Sequence, residues 1–340
     1  MDKLQKYIIN NLSILFLSIF LPLFAIASVV FLIKLATYTA IIQLSIWEMI
    51  KLYIFMVPEL LFYTLPITFF ISATLTLFKL SSDNEMVVLF SLGIRPKIIL
   101  TTLFKPALFL TLLLAMNFLI VIPHSKILSK NFISYKKNEA KFNLSASEYG
   151  HSFGEWLLYI GHNNPDGTYG NIFLYNNKKS NEEVLISAKK AEIVNYSGLL
   201  RLKLTNGEGY SYSKEKFSQI NFETMYINNS TTTNLTKYST PLEYWRSNER
   251  REKKNKNFTI NLLLSIFPIL GLFLISSIGI VHARQQKGKI YLYMFLSVIT
   301  YYGSVLGLQS AIKFYTIPLV VSVMFAVSYT IYKKTIVARF

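Results

Sequence analysis

The sequence predicts a polytopic α-helical membrane protein with six spans, divided three and three by a β-rich domain. Three observations carry this. Only 16% of the 340 residues are charged, against about 25% in a soluble protein, and most of that charge falls between His124 and Lys256. Outside this stretch, six apolar runs approach or exceed the ~20 residues needed to cross ~30 Å of hydrocarbon. Inside it, short alternating runs are separated by turn residues.

The six runs are Leu12–Leu35, Ile46–Phe78, Ile98–Ile122, Phe258–Ile280, Ile290–Ala311 and Phe314–Tyr332. They divide the chain into 1–123 (spans one to three), 124–256 (the insert) and 257–340 (spans four to six). The first run is longer than the apolar core of a signal peptide, and no clear small-residue cleavage site follows it, so it reads as a retained helix. The second run exceeds what the membrane requires and contains Pro58 and Pro66. It is either one bent or tilted helix or two shorter pieces. In its outer part Glu48 and Lys51 are spaced i,i+3 for an ion pair. Glu59 lies deeper, where a carboxylate is costly and must face a cavity or a partner.

Charge in the short loops orients the spans. With the N-terminus cytoplasmic, that side receives Lys3, Lys6, Lys79, Arg95, Lys97, Arg284, Lys287, Lys289, Lys333, Lys334 and Arg339. The opposite side receives only Lys34 and Lys313 near its short connections. The insert then lies outside the cytoplasm. No sizeable cytoplasmic segment is left for a catalytic domain, so any ATPase must be a separate chain. The net charge of +17 comes without a nucleic-acid motif, and no nucleic-acid partner is expected. It fits anionic lipid headgroups or an anionic amphiphile. Cysteine is absent and the four histidines are scattered, so neither thiolate chemistry nor a close histidine ligand pair is expected.

Within the insert, Glu155–Ile160 precedes the turn cluster Asn163-Asn164-Pro165-Asp166-Gly167. Further runs are Asn171–Tyr175, Glu183–Ser187, Ala191–Val194, Leu200–Leu204, Tyr210–Tyr212 and Ser218–Ile227. Leu200, Leu202 and Leu204 alternate with Arg201 and Lys203, a period of two that places the leucines on one face. Asn206-Gly207 is a favoured hairpin turn. These features predict an antiparallel sandwich or open barrel. Trp156, Phe173 and the leucines either form its core or line an apolar ligand site. Ile127–Lys141 reads as a helical continuation of the third span, and Tyr244–Lys256 as a helix ahead of the fourth.

Between spans two and three the chain reads LSSDNEMVVLFSLGIRP. A short amphipathic helix is expected over about 82–93. Ser82 or Asp83 caps it, Glu85 favours its positive first turn, Gly93 stops it and Pro96 starts the next helix. Its apolar residues Met86, Val87, Leu89 and Phe90 suit either a groove on a partner protein or the membrane surface.

This loop and the layout together resemble the LptF/LptG (YjgP/YjgQ) lipopolysaccharide export permease family. Tyr7, Leu65-Pro66, Asp83-Asn84-Glu85-Met86 and Ser91-Leu92-Gly93-Ile94 carry the likeness, which extends over essentially the whole chain. EMVVLFSLGI is more similar to the F subunit. The resemblance implies a Gram-negative inner-membrane protein with cytoplasmic termini and a periplasmic β-jellyroll-like domain. It also implies a permease without a catalytic site of its own, in an ABC transporter that extracts lipopolysaccharide. The implied partners are the homologous permease (LptG if this is the F subunit), two copies of the cytoplasmic ATPase LptB, and the periplasmic bridge LptC/LptA. ATP and Mg are used in the ATPase, and no cofactor is implied in this chain. Glu85, Met86, Leu89, Phe90 and Arg95 correspond to the ATPase-coupling helix. Lys34 and Lys313 are implied lipopolysaccharide contacts, against the plainer reading of lysines snorkelling to the interface.

Two other functions fit parts of the sequence. One is a permease of another ABC system, for lipoprotein release or efflux, although such proteins typically carry their insert after the first span. The other is a membrane enzyme acting on envelope lipids, for which no converging set of acids, bases or metal ligands is evident.

Overall fold

The computed structural model describes residues 2–39, 44–141, 151–153, 156–176, 182–196, 199–213, 216–228, 240–248, 250–280 and 289–338. They form two compact units: Met1–Leu35 with Met49–Ile127 and Tyr238–Phe340, and Ala36–Glu48 with Leu128–Lys237.

Helix α1 is Asp2–Thr39 and α2 is Ile46–Ser82. A capping box opens α2: the Ser45 N–H donates to Glu48 Oε2 at 2.9 Å, and the Glu48 N–H donates to Ser45 Oγ at 3.4 Å, an S-x-x-E pattern already present in the sequence. Helix α2 passes unbroken through Pro58 and Pro66, so it is one piece and not two. After the short α3 (Glu85–Ser91), α4 (Pro96–Met116) continues through a π-helical turn, Asn117–Val121, into α5 (Ile122–Lys141). The expected continuation beyond the third span is present and begins without a break.

Beyond the sheet, α6 is Pro241–Arg246, α7 is Arg251–Leu270 and α8 is Leu272–Gly279. The helix predicted over Tyr244–Lys256 is instead split by an extended Ser247 and a left-handed Arg250. Helices α7 and α8 meet at a 44° bend beside Pro268 and Gly271, where proline has removed a backbone donor. Helix α9 (Lys289–Ile312) ends at Lys313, whose φ of +50° no α-helix accommodates. A 3₁₀ turn at Lys313–Tyr315 leads into α10 (Thr316–Tyr332) and a π turn at Lys333–Val337.

Straight, the 49 residues Lys289–Val337 would extend about 74 Å. Instead, Tyr293 near the start of α9 and Thr335 after the end of α10 line one common cleft with Ser277 of α8. The two helices are therefore a hairpin folded back at Lys313. Among the described residues, four helical stretches are long and apolar enough to cross a membrane, and the bent α7–α8 pair is a fifth.

The helical core forms where α2, α4, α7 and α8 meet. Phe70 and Phe267 pack with ring centroids 5.3 Å apart. Tyr301 of α9 stacks on Phe267 at 4.5 Å and donates to the Leu263 carbonyl at 2.6 Å, so a fully buried phenol keeps its hydrogen bond. Gly279 lets α8 touch α2. A Cβ there would lie 2.7 Å from Leu77 Cβ and 2.8 Å from the Thr74 carbonyl oxygen.

The other unit is built on a six-stranded antiparallel sheet in simple sequence order: β1 (His151–Phe153), β2 (Trp156–Asn163), β3 (Tyr169–Asn176), β4 (Glu182–Tyr196), β5 (Leu199–Ser213) and β6 (Phe217–Asn228). Among the described strands the pairing is a meander, without the exchange of strands that a Greek-key jellyroll makes. Leu158 pairs with Leu174, which pairs with Ile186, and Ala191 pairs with Leu204. These side chains are buried on one face, as a period of two requires. Leu202 and Leu204 are buried as expected; the side chain of Leu200 lies outside the described residues. Phe173 is 43% exposed on the opposite face, so it is not part of this core.

Three sequence expectations change here. Glu183–Ser187 and Ala191–Val194 belong to one strand. Asn206-Gly207 is not a hairpin turn: β5 runs through it, with Asn206 at φ +52° and Phe222 over Gly207. Pairing on both sides outweighs the local turn preference, and the aromatic ring covers the glycine. Glu48 bonds Lys136 of α5 at 2.6 Å instead of Lys51.

The Asn164–Thr168 turn forms as expected, joining β2 to β3. The Asp166 carboxylate accepts from Thr168 Oγ1 at 2.6 Å, from Lys190 Nζ at 3.0 Å and from the Thr168 N–H at 3.0 Å. The Thr168 hydroxyl first, then Lys190, hold its carboxyl down to about 2. A folded value below the ordinary carboxylate range means the turn is fully supported above about pH 4 and loses that support as pH falls towards 2. A carbon-13 NMR titration of Asp166 should show a midpoint near 2; a midpoint near 4 would contradict the geometry.

Candidate functional site

Helix α3 sits between two short turns, 83–84 and 92–95, and is fixed at both ends by backbone geometry. Its N-cap is Asn84, at φ +61° and without a side-chain capping bond; asparagine tolerates this left-handed conformation better than most residues. Ser82 still belongs to α2 and Asp83 to the turn, so neither is the cap expected from the sequence, and the helix is shorter than 82–93. At the other end Gly93 adopts φ +81°. Its N–H donates to the Phe90 carbonyl at 3.0 Å, and the Ile94 N–H donates to the Leu89 carbonyl at 3.1 Å. This pair of bonds is a Schellman motif, which satisfies two carbonyls at the helix end. Arg95 is then extended and Pro96 takes the first helical position of α4.

A seven-residue helix held this way can point its side chains in only one way. Met86 is 1% exposed and inserted into the core of the helical unit. Leu89 and Phe90 are half-buried against that core. The exposed apolar residues are Val87, Val88 and Leu92. Met86 is thus an internal anchor and not an outward one, contrary to the role the resemblance implied. Glu85 is half-buried at the start of the helix, and its Oε1 accepts a hydrogen bond from the Tyr7 hydroxyl at 2.9 Å. Arg95 is exposed beyond the other end. The surface offers an anion, a small aliphatic patch and a cation in sequence, a suitable shape for a groove on a partner.

Lys34 and Lys313 are both exposed, on α1 and at the α9–α10 turn respectively. The Lys34 ammonium lies 5.6 Å from the Phe31 ring centroid. Among the described residues no three His, Asp or Glu side chains converge as metal ligands would.

The family model of the lipopolysaccharide export system permease LptF/LptG matches residues 6–331. The chain belongs to the LptF/LptG family. No curated protein matches it. As a member of this family it is a lipopolysaccharide export permease and a multi-pass inner-membrane protein, and the family's members are transporter permease subunits.

In this LptF/LptG-family chain several polar contacts within the helical unit escape sequence reading. Glu59 pairs with Lys126 of α5 at 3.1 Å, an ion pair 67 residues apart in sequence. The Asn117 side chain, at the start of the π turn, donates to the Pro58 carbonyl at 3.1 Å. The widened turn also presents the Leu119 carbonyl, which accepts from Trp245 Nε1 at 3.0 Å. Helix α2 is thereby tied to the π turn and to α5, and α6 to the same turn. The cleft between α8, α9 and α10 has a volume of about 530 Å³ and mixes aliphatic side chains with Ser277, Ser297, Thr300 and Thr335. Only the π turn had a local signal, a lone asparagine inside an apolar run.

Proposed function

We propose that this chain is one permease subunit of an ABC transporter that draws lipopolysaccharide from the inner membrane and hands it to a periplasmic bridge. It has six spans: α1, α2, α4, the α7–α8 pair, α9 and α10. Both termini are cytoplasmic and the β-sheet unit is periplasmic, as the lysine and arginine bias of the short loops supports. The chain pairs with a homologous permease. Two copies of a cytoplasmic ATPase, which use ATP and magnesium, drive the pair, and one of them seats on α3. The periplasmic β-sheet unit passes the lipid to its bridge.

The observation that carries this reading is the shape of α3: a short helix between two spans, clamped by Asn84 and Gly93, with Glu85 at its positive end and Val87, Val88 and Leu92 turned outward. Leu89, Phe90 and Met86 support it from beneath, and Arg95 completes the docking surface. Lys34 and Lys313 meet the phosphates of lipid A at the outer mouth of the cavity, since an ammonium is a serviceable phosphate ligand.

Reconstituted with its partners in proteoliposomes, the complex should release lipopolysaccharide to a periplasmic acceptor only when ATP is supplied. Lys34→Glu should lower photocrosslinking of lipopolysaccharide to the cavity several-fold while ATPase assembly persists. Full crosslinking after charge reversal would remove Lys34 from the site, and release without ATP would overturn the transporter reading.

A further inference from the structure

Helix α1 reaches the α3 region at its cytoplasmic end and the outer membrane face at its other end. Ile8 and Leu12, on its first turns, are 0% and 4% exposed and enter the same core cluster as Met86 of α3. Tyr7, one residue before Ile8, donates its hydroxyl proton to Glu85 Oε1 at 2.9 Å. Packing and a hydrogen bond to a charged acceptor thus join α1 and α3 at the same level. Further along, the next buried positions of α1 are Ser28, whose hydroxyl is 2.8 Å from that of Tyr53 on α2, and Leu35, at 1% exposure. Between Leu12 and Ser28 no residue of α1 is fully buried, and Phe16 packs partly against the helical core. Helix α1 is therefore held most firmly towards its two ends, with Phe16 as a lighter contact between them.

We propose that Tyr7 is a positioning residue that locks the Glu85 carboxylate and couples α3 to α1, so that a displacement of α3 is delivered along α1 to the outer face. This rests on the reading of α3 as the ATPase-docking helix. The helix is continuous from Tyr7 to Lys34, a rise of about 40 Å at 1.5 Å per residue, enough to cross the hydrocarbon. Holding Oε1 with the phenol fixes the direction of Oε2, which leaves that oxygen for a cationic donor on the ATPase. Charge-assisted hydrogen bonds are the stronger class and the most sensitive to such alignment. A carboxylate free to rotate would still attract the donor, but it would no longer carry the pull into α1.

Tyr7→Phe removes one oxygen and leaves the ring and its neighbours Ile8 and Leu12 in place. In the purified complex with its ATPase, lipopolysaccharide released per ATP hydrolysed should fall several-fold, and the melting temperature should stay at the wild-type value. Glu85→Gln should weaken ATPase association, and adding Tyr7→Phe to Glu85→Ala should lower the release ratio no further, because without the side chain the Tyr7 hydroxyl has no acceptor left to lose. A wild-type release ratio in Tyr7→Phe, or a double variant whose losses simply add, would overturn the coupling role. If Glu85→Gln instead leaves ATPase association and release unchanged, the docking reading itself fails, and the inference falls with it.

Discussion

Replacing Glu85 by alanine should release the ATPase from the permease while the chain remains folded in the membrane. The carboxylate is held out at the start of α3 by the Tyr7 hydroxyl, at the positive end of the helix. Within the chain its loss removes one exposed hydrogen bond and a helix-end charge of about 0.3–1 kcal/mol, too little to unfold the helical unit. At a docked interface, truncating one member of a hydrogen-bonded charge pair costs about 2–5 kcal/mol, or roughly 30-fold in affinity at the low end. The two scales separate the effects. Co-purification with the ATPase should drop by that factor or more, with an unchanged melting temperature. Undiminished co-purification together with undiminished transport would count against the docking surface.

The second large effect is expected at Gly279. This residue is buried where α8 crosses α2, and an added Cβ would collide with Leu77 Cβ and the Thr74 carbonyl oxygen, at 2.7 and 2.8 Å. One of the two contacts is backbone, so the helices must move apart rather than a side chain rotate. Alanine gains about 0.8–1 kcal/mol of helix propensity over glycine, while overpacking costs about 1–3 kcal/mol. Gly279→Ala should therefore be mildly destabilising. Gly279→Leu should reach the upper end of that range and melt several degrees lower in detergent. Because α2 leads through Asp83 and Asn84 directly into α3, the leucine variant should also dock the ATPase less well. Gly303 and Gly307 supply the control. Neither has an atom within 4 Å of an added Cβ, so Gly303→Leu should leave the melting temperature of the isolated chain unchanged. Equal losses at Gly279 and Gly303 would contradict the packing described.

Features set by strong local chemistry were legible in the sequence. The apolar runs gave the helices, Gly93 and Pro96 bracketed the turn after α3, and the 163–167 cluster gave the β2–β3 connection. Features set by distant partners were not. Asn206-Gly207 has the chemistry of a hairpin turn, yet pairing with β4 and β6 draws it into a continuous strand. Glu48 had a convenient lysine three residues away and bonds one 88 positions further along. Glu59 had no visible partner until α5 brought Lys126 to it. At α3 the residue types were readable but their directions were not: seven residues span barely two turns, too few for periodicity to tell that Met86 points inward while Val87 and Val88 point outward. Tyr7 and Glu85 both stood out in the sequence. Nothing in it indicated that they touch.

The central claim is that this permease works only as one part of an ATP-driven assembly that holds a glycolipid. Affinity purification of the intact chain in mild detergent, followed by mass spectrometry of both protein and lipid, addresses it most directly. The account predicts a second permease, a cytoplasmic ATPase in two copies and bound lipopolysaccharide in the same particle. Recovery of the chain by itself, without a nucleotide-hydrolysing companion and without glycolipid, would contradict it.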